Sequence, residues 1–363
     1  MSHTLPFAFL RYSLGLSQEF EGASRVLTHE EWVELFKFAK EQCLAGVFYC
    51  GMQKLPDGFK PPQNLALRWT IDAESIRGQN EKVDAVASAL TERFNLVGCK
   101  PVVLKGPANA RYYPEAQFRY PGDIDFFIAG GKEFVISKIH DACLADNFPL
   151  SSHHASFTWD DIEVEVHFVA TDAYSPRKND ALQSFLSDET QKSYATAGGF
   201  NVPSMVYALM MQVSHIKQHL FKGGIGLRQL IDYHQLLQHS TKEERSQVAN
   251  KLRDCGQDKI AGALMYVLRE ILALDEGRML CAPDERRGKF LLKIVLEGGN
   301  FGWYAEDYIQ PVINRWFKDR VRFFRLLPFD ATEALWRELF YWRDTVKLIP
   351  RRIKQRRLAL GKR

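Results

Sequence analysis

The chain lacks two features that would place it in or across a membrane. No apolar run in its 363 residues approaches the roughly 18 uninterrupted residues of a membrane-spanning helix. The apolar start, from Leu5 to Leu16, is interrupted by Arg11 and has neither a basic leader nor a small-residue cleavage site. These absences exclude a transmembrane segment and a secretory signal from the interpretation, and they predict a cytoplasmic protein.

The chain also lacks paired cysteines and a strong overall charge. None of its six cysteines belongs to a C-x-x-C pair, which in a chain of this length without a signal favours reduced thiols over disulfides. The net charge of +4, from 48 basic and 44 acidic residues, is too small to indicate nucleic-acid binding. Residues 351–363 are one-sided, with seven Lys or Arg and no acid. This basic tail could contact RNA or an anionic membrane, although a solvated terminus is the simpler interpretation.

Hydrophobic periodicity divides the chain into four parts. Residues 1–97 read as a helical N-terminal region, with a capping box from Thr28 to Glu31 and a long helix from about residue 64 to 97. Residues 98–202 alternate short apolar strands with helices, and residues 203–350 return to helical spacing. With the basic tail at 351–363, the pattern predicts an α+β protein: a small mixed-sheet core flanked by helical regions.

Two aspartates stand at the start of an apolar strand in the predicted core. Asp123 and Asp125 flank Ile124, and three further apolar residues follow. Side chains two apart on a strand share a face and lie about 6.6 Å apart along it, so both carboxylates can converge on one ion. Buried carboxylates need a compensating charge, and the pair therefore predicts a cation site.

A site for phosphoryl or nucleotidyl transfer needs further carboxylates and cations around the metal. The alternating strand Ile162–Phe168 offers Glu165 as the third carboxylate, with Glu163 as the alternative on the same face. Lys105 and Gly106 follow a short apolar run at a strand-to-helix turn, where an ammonium and a backbone amide can meet a triphosphate. Arg119, four residues before Asp123, is a candidate second cation.

These motifs resemble the uncharacterised nucleotidyltransferase family of the polymerase-beta-like superfamily, and related bacterial nucleotidyltransferase toxins carry a similar arrangement. The resemblance covers roughly residues 80–240. The matching elements are Leu104-Lys105-Gly106, Tyr113-Pro114, Arg119, Gly122-Asp123-Ile124-Asp125, Glu165-Val166-His167, His215, His219, Gly224, Gly226, Arg228 and Asp232.

The resemblance implies a nucleotidyltransferase core that uses ATP or another nucleoside triphosphate with Mg²⁺, Mn²⁺ being possible. It adds Gly122, His215, His219 and Arg228 to the residues expected around the nucleotide. The wider superfamily has Gly-Ser in the turn where this chain has Lys105-Gly106-Pro107, so phosphate binding by Lys105 is less well supported than metal binding by the aspartates.

Several of these residues also have simpler interpretations. His215 and His219, at i and i+4, could bind zinc, but two ligands do not complete a tetrahedral site; lining of the nucleotide cleft and plain packing are the alternatives. Arg228 and Asp232, also at i and i+4, could form an ion pair within one helix. His167 is interpreted as a supporting residue rather than a metal ligand.

The predicted reaction is attack of an acceptor on the α-phosphorus of the triphosphate, with release of pyrophosphate. The sequence leaves the acceptor open: a small molecule, a protein hydroxyl or a tRNA end would all fit. Two alternatives are a catalytically inactive nucleotide- or partner-binding module on the same fold, and an RNA-modifying enzyme that uses the basic tail.

Overall fold

The computed structural model describes residues 4–20, 25–299 and 312–360. The N-terminal region forms four helices: α1 Thr4–Ser13, α2 His29–Glu41, α3 Ala45–Lys54 and α4 Gln63–Leu96. The middle of the chain forms β1 Val102–Val103, α5 Pro107–Ala110, β2 Ile124–Phe127, α6 Lys132–Asp141, β3 His154–Trp159, β4 Ile162–His167, α7 Pro176–Thr190, β5 Tyr194–Ala195 and β6 Asn201–Val202. The remainder forms α8 Met205–Lys222, α9 Leu227–His239, α10 Lys242–Ala249, α11 Asp258–Leu272, α12 Glu285–Gly298, α13 Val312–Leu326 and α14 Ala331–Leu360.

A four-stranded mixed sheet confirms the predicted α+β class. Its strand order is β1-β2-β4-β3, with β2 and β4 parallel and the outer pairs antiparallel. The parallel pair places Asp125 opposite Glu165. A two-residue turn at Asp160 and Asp161, both with positive φ, connects β3 to β4, as expected for a tight hairpin. The sheet therefore brings polar side chains from distant parts of the chain to one face.

The capping box predicted at the start of α2 is confirmed. The Thr28 hydroxyl accepts from the Glu31 amide at 3.3 Å, and the Glu31 carboxylate accepts from the Thr28 amide at 2.9 Å. Each side chain satisfies an amide that the first helical turn leaves without a partner.

Two hydrophobic clusters form the core, and helix α4 belongs to both. Its first half contributes Leu65 and Trp69 to a large cluster built mainly by the helices. Its second half contributes Leu90 and Phe94 to the cluster on the sheet. The expected boundary at residues 97 and 98 therefore separates a helix from the sheet that it covers.

Two other features lie across the expected boundaries, and the division of the chain into domains stays a prediction. Helix α7, inside the predicted 98–202 core, buries Leu182 and Leu186 in the helical cluster rather than against the sheet. At the C-terminal end, the 350/351 boundary falls within α14, which continues to Leu360. The basic segment thus begins on a helix, and residues 361–363 lie outside the described part.

In the described part of the chain, no helix is both long and apolar enough to cross a bilayer. All six cysteines lie in the described ranges, and each is a free thiol.

Candidate active site

Three carboxylates meet at the mouth of the two parallel strands. One oxygen from each of Asp123, Asp125 and Glu165 lies within 4.8 Å of the others. Asp125 and Glu165 are direct neighbours in the β2–β4 register, and Asp123 precedes β2 by one residue. Glu163, the alternative third carboxylate, is exposed at the rim and does not belong to this group of described residues. The structure therefore favours Glu165, and its role as a ligand stays a prediction.

Asp125 is the deepest member of this group, and two cations compensate its charge. Its side chain is 1% exposed, and Lys105 Nζ lies 2.9 Å from its Oδ2. On the other side, His167 Nε2 lies 3.0 Å from its Oδ1. Burial alone would raise the pKa of Asp125, but the Lys105 and His167 charges hold that pKa below its ordinary value. Asp125 is thus a carboxylate at neutral pH.

His167 connects two members of the cluster. Its Nε2 also lies 3.1 Å from Glu165 Oε2. Burial opposes the imidazolium, but the hydrogen bonds to Asp125 and Glu165 outweigh it and raise the pKa of His167 to about 9. The same contact, helped by His154, keeps the pKa of Glu165 below its ordinary value despite burial. In this structure His167 thus holds Asp125 and Glu165 by hydrogen bonds, and its predicted role as a supporting residue stays a prediction.

Gly106 shapes the turn that presents Lys105. Its φ of 63° and ψ of −112° form a conformation that side chains with a Cβ rarely adopt. The turn leads directly into Pro107, the first residue of α5, and so Lys105 stays at the mouth of the sheet beside Asp125. In this structure the ammonium pairs with Asp125, and its contact with a triphosphate stays a prediction.

Arg119 has a different role from the one predicted. Its Nε and Nη2 donate to the two carboxylate oxygens of Asp232 at 2.8 and 2.7 Å, and its Nη1 donates to the Tyr120 carbonyl at 3.2 Å. The Tyr113 hydroxyl also donates to Asp232, at 2.7 Å. Because all three nitrogens are engaged inside the protein, the expected direct contact with triphosphate is corrected to an anchoring role for the loop before Asp123.

Arg228 supports the same loop from helix α9. It donates to the carbonyls of Tyr120 and Pro121, both at 3.0 Å. The sequence spacing suggested an ion pair between Arg228 and Asp232, but both oxygens of Asp232 are bound by Arg119. Two residues one turn apart on α9 thus fix the segment that delivers Gly122 and the catalytic candidates.

The fold and the carboxylate cluster agree with the comparison to protein families. The family described as uncharacterised nucleotidyltransferase matches residues 28–273, well over half of the chain and every residue described in this site. The chain belongs to this family. The comparison confirms the resemblance, supports nucleotidyl transfer as the general chemistry, and is compatible with a divalent metal at the acidic group. No curated protein and no solved structure matches the chain.

A cleft opens beside the carboxylates of this nucleotidyltransferase-family fold. It has a volume of about 440 Å³, inside the range of roughly 300–1,000 Å³ typical of small-molecule sites. Helix α4 forms one wall, the loop that ends at Gly122 and Asp123 forms another, and the β3–β4 turn with Glu163 forms the third. The cleft gives a ligand direct access to Asp123.

The histidine pair on α8 is neutral and close-packed. The Nε2 atoms of His215 and His219 lie 2.7 Å apart. Burial, helped by the nearby Lys105 charge, lowers the pKa of both imidazoles, that of His219 to about 3. Among the described residues, no Cys, His, Asp or Glu completes a zinc set with this pair. Their contact with a nucleotide stays a prediction.

His154 is the site residue that the sequence interpretation missed. It is the first residue of β3 and lies opposite His167 in the sheet, with its Nδ1 3.3 Å from Glu165 Oε2. The sequence held the necessary signal, because a two-residue turn at Asp160 and Asp161 fixes every pairing along the hairpin. The sequence interpretation used only the second strand of this hairpin, Ile162–Phe168, and so did not consider His154.

Proposed function

We propose that the protein catalyses Mg²⁺-dependent transfer of a nucleoside monophosphate from a nucleoside triphosphate, ATP in the first instance, to an acceptor. The observation that carries this proposal is the convergence of Asp123, Asp125 and Glu165 within 4.8 Å at the edge of an open cleft. Family membership supplies the reaction class. The acceptor oxygen forms a bond to the α-phosphorus, the bond to pyrophosphate breaks, and pyrophosphate leaves.

The three carboxylates fit the proposed ion. Mg²⁺ requires oxygen ligands in near-octahedral geometry and retains several waters. This group offers one oxygen from each carboxylate, and Asp123 lines the cleft. Mn²⁺ accepts the same oxygen donors. When bound, the ion would stabilise the charge that develops on the attacking and departing oxygens.

The remaining residues of the site have separate tasks. Lys105 is the cation that a triphosphate would meet beside Asp125, and its ammonium is positioned by the Gly106 turn. The lowered pKa of Glu165 makes this carboxylate a weaker base and a better metal ligand. We therefore expect the proton of the acceptor hydroxyl to pass to solvent in the cleft rather than to Glu165. Arg119 and Arg228 hold the loop before Asp123 in place. His215 and His219, on α8, are the remaining candidates for contact with the nucleotide.

The decisive experiment compares two double variants for pyrophosphate release with ATP, Mg²⁺ and a panel of acceptors. Asp123→Asn with Asp125→Asn should abolish release, because the neutral amides cannot replace the two anionic ligands. Asp141→Asn with Asp146→Asn makes the same change of charge at exposed positions and should leave the rate unchanged. Turnover at the wild-type rate in the first variant would refute the proposal.

Two further measurements cover a variant that does not fold and a chain that binds nucleotide without turnover. Because Asp125 is buried, single Asp123→Asn serves as the active-site variant if the double variant does not fold. Calorimetry with ATP and Mg²⁺ tests the alternative of an inactive module, since binding without release on any acceptor would favour it.

The acceptor is the open part of the proposal, and RNA is one class to test. Five Lys or Arg residues and no acidic residue lie between 351 and 360 on α14, so this segment carries a net positive charge. If RNA is the acceptor, deletion of residues 351–363 should weaken tRNA binding and reduce its dependence on salt.

A further inference from the structure

A second group of metal-binding side chains adjoins the carboxylate cluster. Its members are His154, Glu165 and His167, and one donor atom of each lies within 4.8 Å of the other two. His154 Nδ1 lies 3.3 Å from Glu165 Oε2, and His167 Nε2 lies 3.1 Å from the same oxygen. Glu165 therefore belongs both to this group and to the proposed Mg²⁺ site.

The sheet itself holds these three side chains together. His154 and His167 are paired residues of β3 and β4, with ring centres 4.9 Å apart. Glu165 precedes His167 by two residues on the same strand, so both point to the same face. The arrangement is thus built into regular backbone and does not depend on the conformation of a loop.

The donor types differ from those of the neighbouring site. Two imidazole nitrogens and one carboxylate form a set known from zinc sites with an open fourth position, whereas Mg²⁺ prefers oxygen ligands. Metal–ligand bonds of about 2.0–2.2 Å at tetrahedral angles separate two ligands by roughly 3.4 Å. The two measured distances to Glu165 agree with that spacing.

One donor atom in this group has no competing hydrogen bond. Nδ1 of His154 is shielded from solvent and has no hydrogen-bond partner among the described residues, although it faces Glu165. A buried imidazole nitrogen normally has a partner. A metal ion between the two side chains would provide one.

We propose that His154, Glu165 and His167 form a second metal position, selective for a borderline transition ion such as Zn²⁺ over Mg²⁺. Metal binding at this position does not rest on the proposed function.

Binding is tested on the full chain, stripped of metal by a chelator, with Co²⁺ as the spectroscopic probe. The visible absorption of bound Co²⁺ should saturate at one ion per chain, disappear on addition of Zn²⁺, and persist in excess Mg²⁺. His154→Gln should weaken Co²⁺ binding by about 100-fold, at the upper end of the 10–100-fold effect of losing even an outer-shell partner. No visible absorption with the wild-type chain would overturn the proposal.

The neighbouring histidine provides a matched control. His153 hydrogen-bonds Ser152 at 2.9 Å and is not part of the metal group, so His153→Gln should bind Co²⁺ like wild type. Equal binding by the His153 and His154 variants would overturn the proposal, and would assign the ion to other groups such as the free thiols.

A third variant should add a new absorption band, so its test does not depend on loss of Co²⁺ binding. His154→Cys substitutes another ligand that zinc sites use, and should retain Co²⁺ while adding a sulfur-to-cobalt charge-transfer band. Absence of that band in a folded variant would remove residue 154 from the site. Because these measurements contain no nucleotide, they are independent of whether the chain transfers nucleotides.

Discussion

Removal of the Asp232 carboxylate should destabilise the protein strongly. Asp232 and Arg119 are 4% and 5% exposed, and Asp232 accepts two hydrogen bonds from Arg119 and one from Tyr113. Asp232→Asn keeps the shape but leaves the buried Arg119 charge without its counter-ion. Loss of one partner of a buried pair costs about 3–5 kcal/mol, and we expect the free energy of unfolding to fall by this amount.

The pH dependence of the unfolding free energy is a second measurement of the Asp232 contribution. Burial would raise the pKa of Asp232, but Arg119 outweighs burial and lowers it. The carboxylate therefore contributes stability above the unfolded aspartate pKa of about 3.9, and this contribution disappears as the pH falls through the lower folded pKa. The stabilities of wild type and Asp232→Asn should differ most near neutral pH and converge in acid.

Urea unfolding at pH 7 and at several acidic pH values measures both effects. The control is Glu81→Gln, which breaks an exposed pair with Arg77 at 2.7 Å and should change stability by less than about 0.5 kcal/mol. Tyr113→Phe removes one hydrogen bond to Asp232 and should cost about 1 kcal/mol. A loss below about 1 kcal/mol for Asp232→Asn, or a loss equal to that of the control, would refute the reasoning.

Two further pairs of variants test individual residues of the site. Glu165→Gln should lower nucleotide turnover by at least the roughly 10–100-fold associated with losing a metal's outer-shell partner. Glu163→Gln, at the exposed rim, should have only a mild effect. Equal, mild losses in both variants would remove Glu165 from its role. Gly106→Ala should destabilise the protein by about 1–3 kcal/mol in thermal or urea unfolding, because the positive φ of this position is strained for alanine. Gly58→Ala, with open space around the added methyl, should not destabilise it. Equal stabilities of the two variants would contradict the strain argument.

The sequence predicted the parts of the site that depend on local spacing. Their two-residue spacing placed Asp123 and Asp125 on one face at the start of a strand, and the Lys105–Gly106 turn was evident from an apolar run ending in glycine. The choice of Glu165 over Glu163 depended on the parallel β2–β4 register, which short-range patterns do not specify. The register of the β3–β4 hairpin places His154 opposite His167, a pairing that the sequence interpretation did not consider.

The role of Arg119 could not be predicted, because its partner lies 113 residues away. A cation near two aspartates suggests phosphate binding when only the sequence is considered. The fold brings a third aspartate to it from α9, and a buried carboxylate needs that charge more than an exposed phosphate does. Contacts of this kind are set by tertiary packing and leave no periodic signal.

The membership of α4 in both hydrophobic clusters has a consequence for folding. Since Trp69 and Phe94 lie on one continuous helix but in different clusters, the sheet cannot lose its cover without also disturbing the helical body. The two clusters should therefore unfold in a single cooperative transition. A fragment that begins at residue 98 would expose the apolar face of the sheet, and we expect it to aggregate, so the smallest fragment that keeps the sheet folded must include helix α4.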